Sequence, residues 1–332
     1  MRNKVLIITS KNDEHADYII SRMNDRGLSD RVIRLNTEDF SDNVVYSFDG
    51  EQFKLEIQDS GRKVSSFEIC TVWYRRPIKQ NISFADPGVE KFVKGQFEHF
   101  LNGLYYILCD DVLWINEIKD NLYAKNKLYQ LNVAKKAGFK IPKVLISNDS
   151  KAIEAFLSEN EIICNKSLTV PHYEYKGIEY PYMTRLVNKE DILSNIESLN
   201  ICPTMFQGYL EKKYDIRVVV FGEKMYAFAI YSQENDMSRI DVRGLSPLMV
   251  KHEYIELPTE IVEKIKVFMK MQNLYFSSID LILSADNEYY FIENNCNGQW
   301  LWLENVTGKN MSDEFIDCIL KEKYDIQVNK EN

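Results

Sequence analysis

The chain has 332 residues, of which 45% are hydrophobic and 27% charged, with a formal net charge of −9 at pH 7. This composition belongs to a folded globular protein, and the length allows more than one domain. The negative charge argues against a broad nucleic-acid surface, which needs clustered Lys and Arg. No apolar run approaches the roughly 20 residues of a membrane span, and the apolar start ends at Ile8, as in a first strand rather than a signal peptide. We therefore expect a cytoplasmic protein that binds neither nucleic acid nor membranes.

The first third of the chain alternates strand and helix. Val5–Thr9 predicts a strand, Glu14–Arg26 a helix and Arg31–Leu35 a second strand, the alternation of a parallel sheet covered by helices. We predict an α/β domain over residues 1–115. Its later elements are a hairpin at Asp49-Gly50, a strand at Thr71–Arg75, a helix at Val89–Leu108 and a strand at Val112–Ile115.

The remainder mixes helices with antiparallel strands. A helix is predicted from Asp120 to Gly138, because an acidic residue begins it and Lys135 and Lys136 precede the closing Gly. Residues 116–200 are expected to form a small central domain and residues 201–332 an α+β domain. The hairpins predicted in the latter are Asp215–Phe221 with Met225–Tyr231, and Phe276–Leu283 with Glu288–Asn294.

The second hairpin carries oxygen-bearing side chains that point to one face. Glu293 and Asn295 share a face by the period of two, and with a loop at residues 284–287 Asp280 lies opposite Phe291, on that same face. Two carboxylates and an amide oxygen are ligands that Mg²⁺ takes when triphosphate and water complete its coordination. A solvated hairpin face explains the same spacing, so the pattern leaves both interpretations open.

Basic side chains could hold phosphates. Lys127 falls in the first turns of its predicted helix, where exposed amides and the helix dipole favour an anion. Lys166 ends the apolar strand Ile162–Lys166 and needs a negative partner, which a triphosphate or a nearby carboxylate would supply. Arg217 alternates with the valines beside it, and so points away from their buried face toward a cleft.

In their order along the chain these features resemble the ATP-grasp superfamily, in which ATP lies between a central and a C-terminal domain of a three-part architecture. The resemblance covers nearly the whole chain and implies ATP and Mg²⁺ as cofactors. The site residues that it implies are the phosphate lysines Lys127 and Lys166, the adenine-hinge residues Gln207, Tyr209 and Leu210, the ribose contact Glu211, and the magnesium ligands Asp280, Glu293 and Asn295. The hinge position that is often Glu is Gly208 here, which leaves backbone contacts to adenine.

Three further segments resemble the graspetide synthetases, particularly the microviridin-type and grasp-with-spasm peptide maturases. They are Val72–Pro77, Ser232-Gln233 followed by Asp241-Val-Arg243, and Asn297–Gly308. Such enzymes close ester or amide links between side chains of a ribosomal precursor peptide. The resemblance implies a precursor with leader and core segments as partner, and leaves a homodimer open. Composition alone does not exclude an ordinary aromatic core for the tryptophans of the third segment, but the combined order of the motifs favours the resemblance.

The implied reaction is a ligation in which ATP converts a substrate carboxylate into an acyl phosphate, with release of ADP and phosphate. Arg217 and Arg243 are candidates for stabilising the transferred phosphoryl group, because arginine binds phosphate in bidentate fashion. Two other functions remain open. A ligase that adds free amino acids to a protein tail or small acid shares every ATP residue, whereas a catalytically silent nucleotide-gated module is disfavoured by the intact Asp280, Glu293 and Asn295.

Overall fold

The computed structural model describes residues 2–78, 82–108, 112–169, 172–235, 238–241 and 245–320. The chain divides into two compact units. Of the described residues, unit 1 comprises those up to Asn121, Leu274–Phe276 and those from Asn310 to Leu320; unit 2 comprises those within Leu122–Asn273 and Ser277–Lys309. Within the described ranges, no helix has the length and apolar character that a membrane crossing demands.

Unit 1 has the predicted α/β character. Its elements are β1 (Lys4–Thr9), α1 (Glu14–Asp25), β2 (Val32–Asn36), β3 (Val44–Phe48), β4 (Phe53–Ile57), β5 (Arg62–Ser65), β6 (Ile69–Tyr74), α2 (Pro87–Leu108), β7 (Leu113–Ile115) and the start of α3 (Ile118–Ala124). A parallel sheet has the strand order β2-β1-β6-β7, and β3, β4 and β5 form an antiparallel sheet. Strand β1 is buried along both faces, as expected for a central parallel strand.

Unit 2 holds most of the antiparallel structure. Its elements are α4 (Lys127–Lys136), β8 (Val144–Ser147), α5 (Ser150–Glu159), β9 (Ile163–Lys166), β10 (His172–Tyr175), β11 (Ile178–Pro181), β12 (Arg185–Leu186), α6 (Lys189–Ser194), β13 (Thr204–Gly208), β14 (Lys212–Phe221), β15 (Lys224–Ile230), β16 (His252–Ile255), α7 (Thr259–Met271), β17 (Phe276–Ser284), β18 (Tyr289–Asn295) and α8 (Leu301–Thr307). Helix α9 (Ser312–Ile319) belongs to unit 1.

Two sheets of unit 2 contain the predicted site residues Lys166, Gln207, Arg217, Asp280, Glu293 and Asn295. One has the order β12-β9-β13-β8, and the other has the order β16-β15-β14-β17-β18. Both predicted hairpins are present, as β14 with β15 and β17 with β18. The predicted boundary at residue 200, within unit 2, stays a prediction.

The helix predicted from Asp120 to Gly138 is wrong in one respect, because two helices occupy this segment. Helix α3 ends at Ala124, and α4 begins at Lys127. The side chain of Asn126 accepts a hydrogen bond from the backbone N–H of Tyr129 and so starts a new helix. Lys127 is therefore the first residue of α4, closer to the exposed amides than the sequence suggested.

Candidate active site

A cavity of about 530 Å³ lies in unit 2, with walls from both sheets and from α4. It brings together most of the predicted site residues: Lys127, Lys166, Gln207, Tyr209, Leu210, Arg217, Asp280, Glu293 and Asn295. Glu211 is exposed and is not among the described residues that line the cavity, so its contact with ribose stays a prediction. Arg243 lies outside the described residues.

The carboxylates of the site face each other across the β17–β18 ladder. Asp280 pairs directly with Glu293, and Ser278 pairs with Asn295. The expectation that Asp280 lies opposite Phe291 is wrong, because Phe291 pairs with Leu281 and the register shifts between Asp280 and Leu281. The expectation that the carboxylates share a face is confirmed, since directly paired residues point to the same side of a sheet.

A β-bulge produces this pairing. At the turn end of the hairpin Leu283 pairs with Tyr289, and a regular ladder from there would place Ile292 opposite Asp280. Glu293 would then point to the other face of the sheet. The extra residue in β18 shifts the register by one and returns Glu293 to the cavity side.

Each carboxylate has a cationic neighbour. Nζ of Lys127 lies 3.3 Å from Oε2 of Glu293, and Nε of Arg217 lies 2.8 Å from Oδ1 of Asp280. Burial raises the pKa of Asp280 to about 7, against the charge of Arg217 and with a contribution from Glu293. Burial also opposes ionisation of Glu293, but the charges of Lys127, Lys166 and Arg217 bring its pKa below the usual value.

Lys166 completes this charged cluster. Burial lowers its pKa, while the negative charge of Glu293 acts in the opposite direction and the positive charge of Lys127 adds to the lowering. Two lysines and one arginine therefore surround two carboxylates in one cavity. A polyphosphate would satisfy the excess of cations, since phosphate oxygens accept charge-assisted hydrogen bonds from Lys and Arg.

The donor set also suits magnesium. Among the residues that the structure describes, no group of three His, Cys, Asp or Glu side chains could hold a metal ion. A metal at this hairpin would therefore be held by the carboxylates of Asp280 and Glu293, the amide oxygen of Asn295, and oxygens from phosphate or water. This set of hard oxygen ligands, incomplete on the protein side, is the type that Mg²⁺ accepts beside a nucleotide.

The predicted adenine hinge begins at Gln207 near the end of β13 and continues past that strand, whose neighbours are β9 and β8. Gln207 is 6% exposed, and the backbone N–H of Gly208 donates to Lys143 O at 2.9 Å. The N–H of Tyr209 donates to Ile162 O at 2.9 Å and is thus already used within the protein. Backbone contacts to adenine at the hinge would then come from the Tyr209 carbonyl or from Leu210.

Sequence reasoning missed several residues of the cavity. Nζ of Lys212 lies 2.7 Å from both carboxylate oxygens of Asp215, which also accepts a hydrogen bond from Ser232 Oγ. Asp241, which the sequence resemblance had already singled out, also lines the cavity and accepts a hydrogen bond from the Thr184 N–H at 3.0 Å. The alternation of polar and apolar residues in β14 was a usable signal for Asp215, which is two positions before Arg217 on the same strand face.

The fold and cavity define an ATP-dependent ligase of the ATP-grasp type. The RimK-like ATP-grasp domain matches residues 124–319, and the MvdD pre-ATP grasp domain matches residues 4–120. The chain belongs to the RimK-like ATP-grasp family. As an ATP-grasp ligase it uses ATP and Mg²⁺. No curated protein sequence matches the chain.

Solved structures resemble the chain over nearly its full length. A ligase from Chryseobacterium gregarium, described as RiPP-associated and in complex with ADP and a leader and core peptide, is 29% identical with a TM-score of 0.84, covering 96% of this chain and 95% of its own. The macrocyclase MdnC from Microcystis aeruginosa MRC, bound with precursor peptide MdnA, is 26% identical with a TM-score of 0.80 (96% and 99% covered). The macrocyclase MdnB from the same organism is 25% identical with a TM-score of 0.75 (95% and 98% covered).

Proposed function

We propose that this protein is a graspetide synthetase that forms ester or amide links between side chains of a ribosomally made precursor peptide. The observation that carries the proposal is the facing pair Asp280 and Glu293, with Lys127, Lys166 and Arg217 around it in one cavity. This is a site for a metal-bound polyphosphate. It occurs in a chain that resembles peptide-bound ligases from end to end.

The chemistry follows from the substrate. A free carboxylate does not condense with an alcohol or amine in water, so the γ-phosphoryl group of ATP must first pass to an Asp or Glu side chain of the precursor. A Ser, Thr or Lys side chain then attacks the acyl carbon. The bond between that carbon and the phosphate oxygen breaks, and phosphate leaves. Each link removes one water from the peptide and converts one ATP to ADP and phosphate. No protein nucleophile is required.

The residues of this chain would bind and orient the reactants. Lys127 and Lys166 would hold the phosphates, and Asp280, Glu293 and Asn295 would hold magnesium, which supplies neutralisation of phosphate charge when bound. We assign stabilisation of the transferred phosphoryl group to Arg217, with Arg243 as its second candidate, because the planar guanidinium has donors beyond the Nε that faces Asp280.

Substrate choice must come from binding away from the reacting carboxylate, since Asp and Glu side chains occur on every protein. We propose that the leader segment binds the hairpin β10–β11 and the helix α6 beside it in sequence. The hairpin exposes Tyr173 (52%), Tyr175 (56%) and Ile178 (57%), and the rings of Tyr173 and Tyr180 stack at 5.5 Å. Exposed apolar surface of this extent favours a peptide partner.

Leader binding would then raise the local concentration of the core to roughly millimolar for a short flexible linker. The experiment is to incubate the enzyme with a candidate precursor, ATP and Mg²⁺ and to measure peptide mass and nucleotide products. We expect a loss of one water per link with stoichiometric ADP. Deleting the leader should depress modification strongly, and adding it as a separate peptide should restore only part of the rate.

Other outcomes separate the alternatives. Release of AMP and pyrophosphate would contradict the acyl-phosphate route. Addition of free amino acids, with a gain rather than a loss of mass, would identify a ligase that extends a tail. Absence of nucleotide turnover with any peptide would identify a nucleotide-gated binding module.

We also propose that the protein acts in the cytoplasm, without nucleic acid or membrane, and as a homodimer. The net charge of −9 supports the absence of a nucleic-acid surface. Light scattering on the purified protein tests the dimer: a mass near twice the 39.0 kDa chain is expected, and a mass near that of one chain would contradict it.

A further inference from the structure

The metal-binding strand β18 is the last strand of its sheet. In the order β16-β15-β14-β17-β18, one side of its backbone has no neighbouring strand among the described residues. Buried backbone groups on an edge strand need other hydrogen-bond partners. One of these partners is Lys140 O, which accepts a hydrogen bond from the N–H of Phe291 at 2.9 Å.

The second partner is a side chain, Gln130 of helix α4. Its Oε1 accepts a hydrogen bond from the N–H of Asn294, and its Nε2 donates to the carbonyl of Asn294, both at 2.9 Å. Nε2 also donates to Ala124 O at 2.6 Å. A single amide group thus makes both bonds that one residue of a neighbouring strand would make. Gln130 is 4% exposed, so water does not compete freely for these bonds.

Asn294 stands between two residues of the metal site. Its backbone dihedral angles set the directions of the Glu293 and Asn295 side chains on either side. The Asn294 side chain is fixed separately, because its Oδ1 accepts a hydrogen bond from Ser277 Oγ. Three residues before Gln130, on the same face of α4, Lys127 contacts the Glu293 carboxylate.

We propose that Gln130 is a positioning residue for the metal site: its amide replaces a missing strand and fixes the backbone between Glu293 and Asn295. The inference rests on the proposed metal role of those two residues. Gln130 borders the cavity, but both polar atoms of its side-chain amide are engaged with Asn294 and Ala124, so its proposed role is exerted through Asn294. An amide buried beside Leu131, Val133 and Ala134 is costly unless it is hydrogen-bonded, and here its bonds go to this one residue and to Ala124.

The test compares two Gln→Met variants. Gln130→Met keeps the length of the side chain and removes the amide. Gln272→Met is the matched control, because Gln272 is also 4% exposed and its amide makes no hydrogen bond with the described residues. Hydrogen exchange is measured at the Asn294 amide in the nucleotide-free protein. ADP affinity is measured by calorimetry with and without Mg²⁺.

For Gln130→Met we expect exchange at Asn294 to rise at least about tenfold, and the gain in ADP affinity that Mg²⁺ provides to fall about tenfold, as is typical when a group supporting a metal ligand is lost. ADP affinity without Mg²⁺ should stay within about twofold. Gln272→Met should change none of these quantities. Unchanged exchange, or an unchanged gain from Mg²⁺, in Gln130→Met would overturn the inference.

The two proposals fail differently. If ADP affinity of the unmodified protein does not depend on Mg²⁺, the metal site itself is wrong, whatever Gln130 does. If Gln130→Met does not fold, Gln130→Glu takes its place. This variant keeps the acceptor for the Asn294 N–H and loses amide donors, so we expect a folded protein with a several-fold smaller gain from Mg²⁺. A gain equal to that of the unmodified protein would overturn the role of Gln130.

Discussion

At the scale of single residues, the negative charges of Asp280 and Glu293 are the feature on which the proposed chemistry depends. We predict that Asp280→Asn and Glu293→Gln each lower turnover by about 100-fold or more, on the order of 3 kcal/mol in activation free energy, because each removes charge from the site of phosphoryl transfer. Initial rates of ADP formation measure this, and circular dichroism checks the fold.

The hairpin offers its own control. Glu288→Gln removes a carboxylate at the turn end, where Glu288 pairs with Lys140 at 2.9 Å and is half exposed. Its rate should remain within about twofold of the unmodified enzyme, because exposed ion pairs contribute little. Normal rates in Asp280→Asn or Glu293→Gln would remove that residue from the proposed site.

A substitution at Arg217 separates the effect of its positive charge from that of its planar guanidinium. Arg217→Lys keeps the positive charge beside Asp280 but loses the planar fork. If Arg217 stabilises the transferring phosphoryl group, kcat should fall while ATP affinity changes little, because the lost contact belongs to the transition state. Steady-state kinetics separate the two, with Arg26→Lys in unit 1 as control. A normal kcat would exclude this role.

At the scale of secondary-structure elements, we expect changes in the hairpin β10–β11 to affect substrate selection. We predict that the double change Tyr173→Ser and Tyr180→Ser raises KM for a leader-bearing precursor at least about tenfold and leaves ADP affinity unchanged. Tyr106→Ser, on α2, removes a tyrosine that is 74% exposed and should leave KM unchanged. Equal KM values for all three proteins would place the leader elsewhere.

Sequence periodicity predicted the elements of the site better than their register. The period of two placed Glu293 and Asn295 on one face, and that face is the cavity side. The sequence did not reveal the bulge, because the extra residue in β18 is Ile292. Isoleucine is an ordinary strand residue and does not mark a bulge. The prediction that Asp280 and Glu293 share a face of the sheet is therefore confirmed, although the pairing of Asp280 with Phe291 on which it was based is wrong.

Helix α4 shows a second limit. The pattern predicted one long helix, whereas the Asn126 cap divides it, since a cap competes locally with continued helix. The sequence did not predict a role for Gln130, because a polar residue among apolar ones does not indicate its hydrogen-bond partner. Its partner, Asn294, is 164 residues away in the sequence, and such contacts follow from tertiary structure rather than local pattern.

At the scale of the whole molecule, His15 links the stability of unit 1 to pH. Burial, and then the positive charge of Arg75, lowers the pKa of His15 to about 3. Between the unfolded value of about 6.5 and pH 3, the unfolded chain binds a proton at this site and the folded chain does not. Stability from this group is thus fully present above pH 6.5 and falls as the pH decreases, by roughly 1 kcal/mol per pH unit.

We predict that His15→Gln has a flatter decline in the free energy of unfolding between pH 6 and pH 4 than the unmodified protein. Urea unfolding at several pH values measures the two slopes. Carboxylates titrate in both proteins, so only the difference between slopes reports on His15. Identical slopes would mean that His15 is protonated in the folded protein over this range.

The hydrogen bonds that already occupy the edge of β18 restrict how a peptide substrate can bind there. Lys140 O and the Gln130 amide already occupy the outward backbone groups at Phe291 and Asn294, so a substrate cannot bind there by adding a strand. In the proposed reaction, the core of the precursor would then present its reacting side chain without backbone hydrogen bonds to β18 at these two residues. Binding to this edge of β18 would then not fix the number of residues in a ring. The size of each ring would be set by the spacing of carboxylate and nucleophile in the peptide itself.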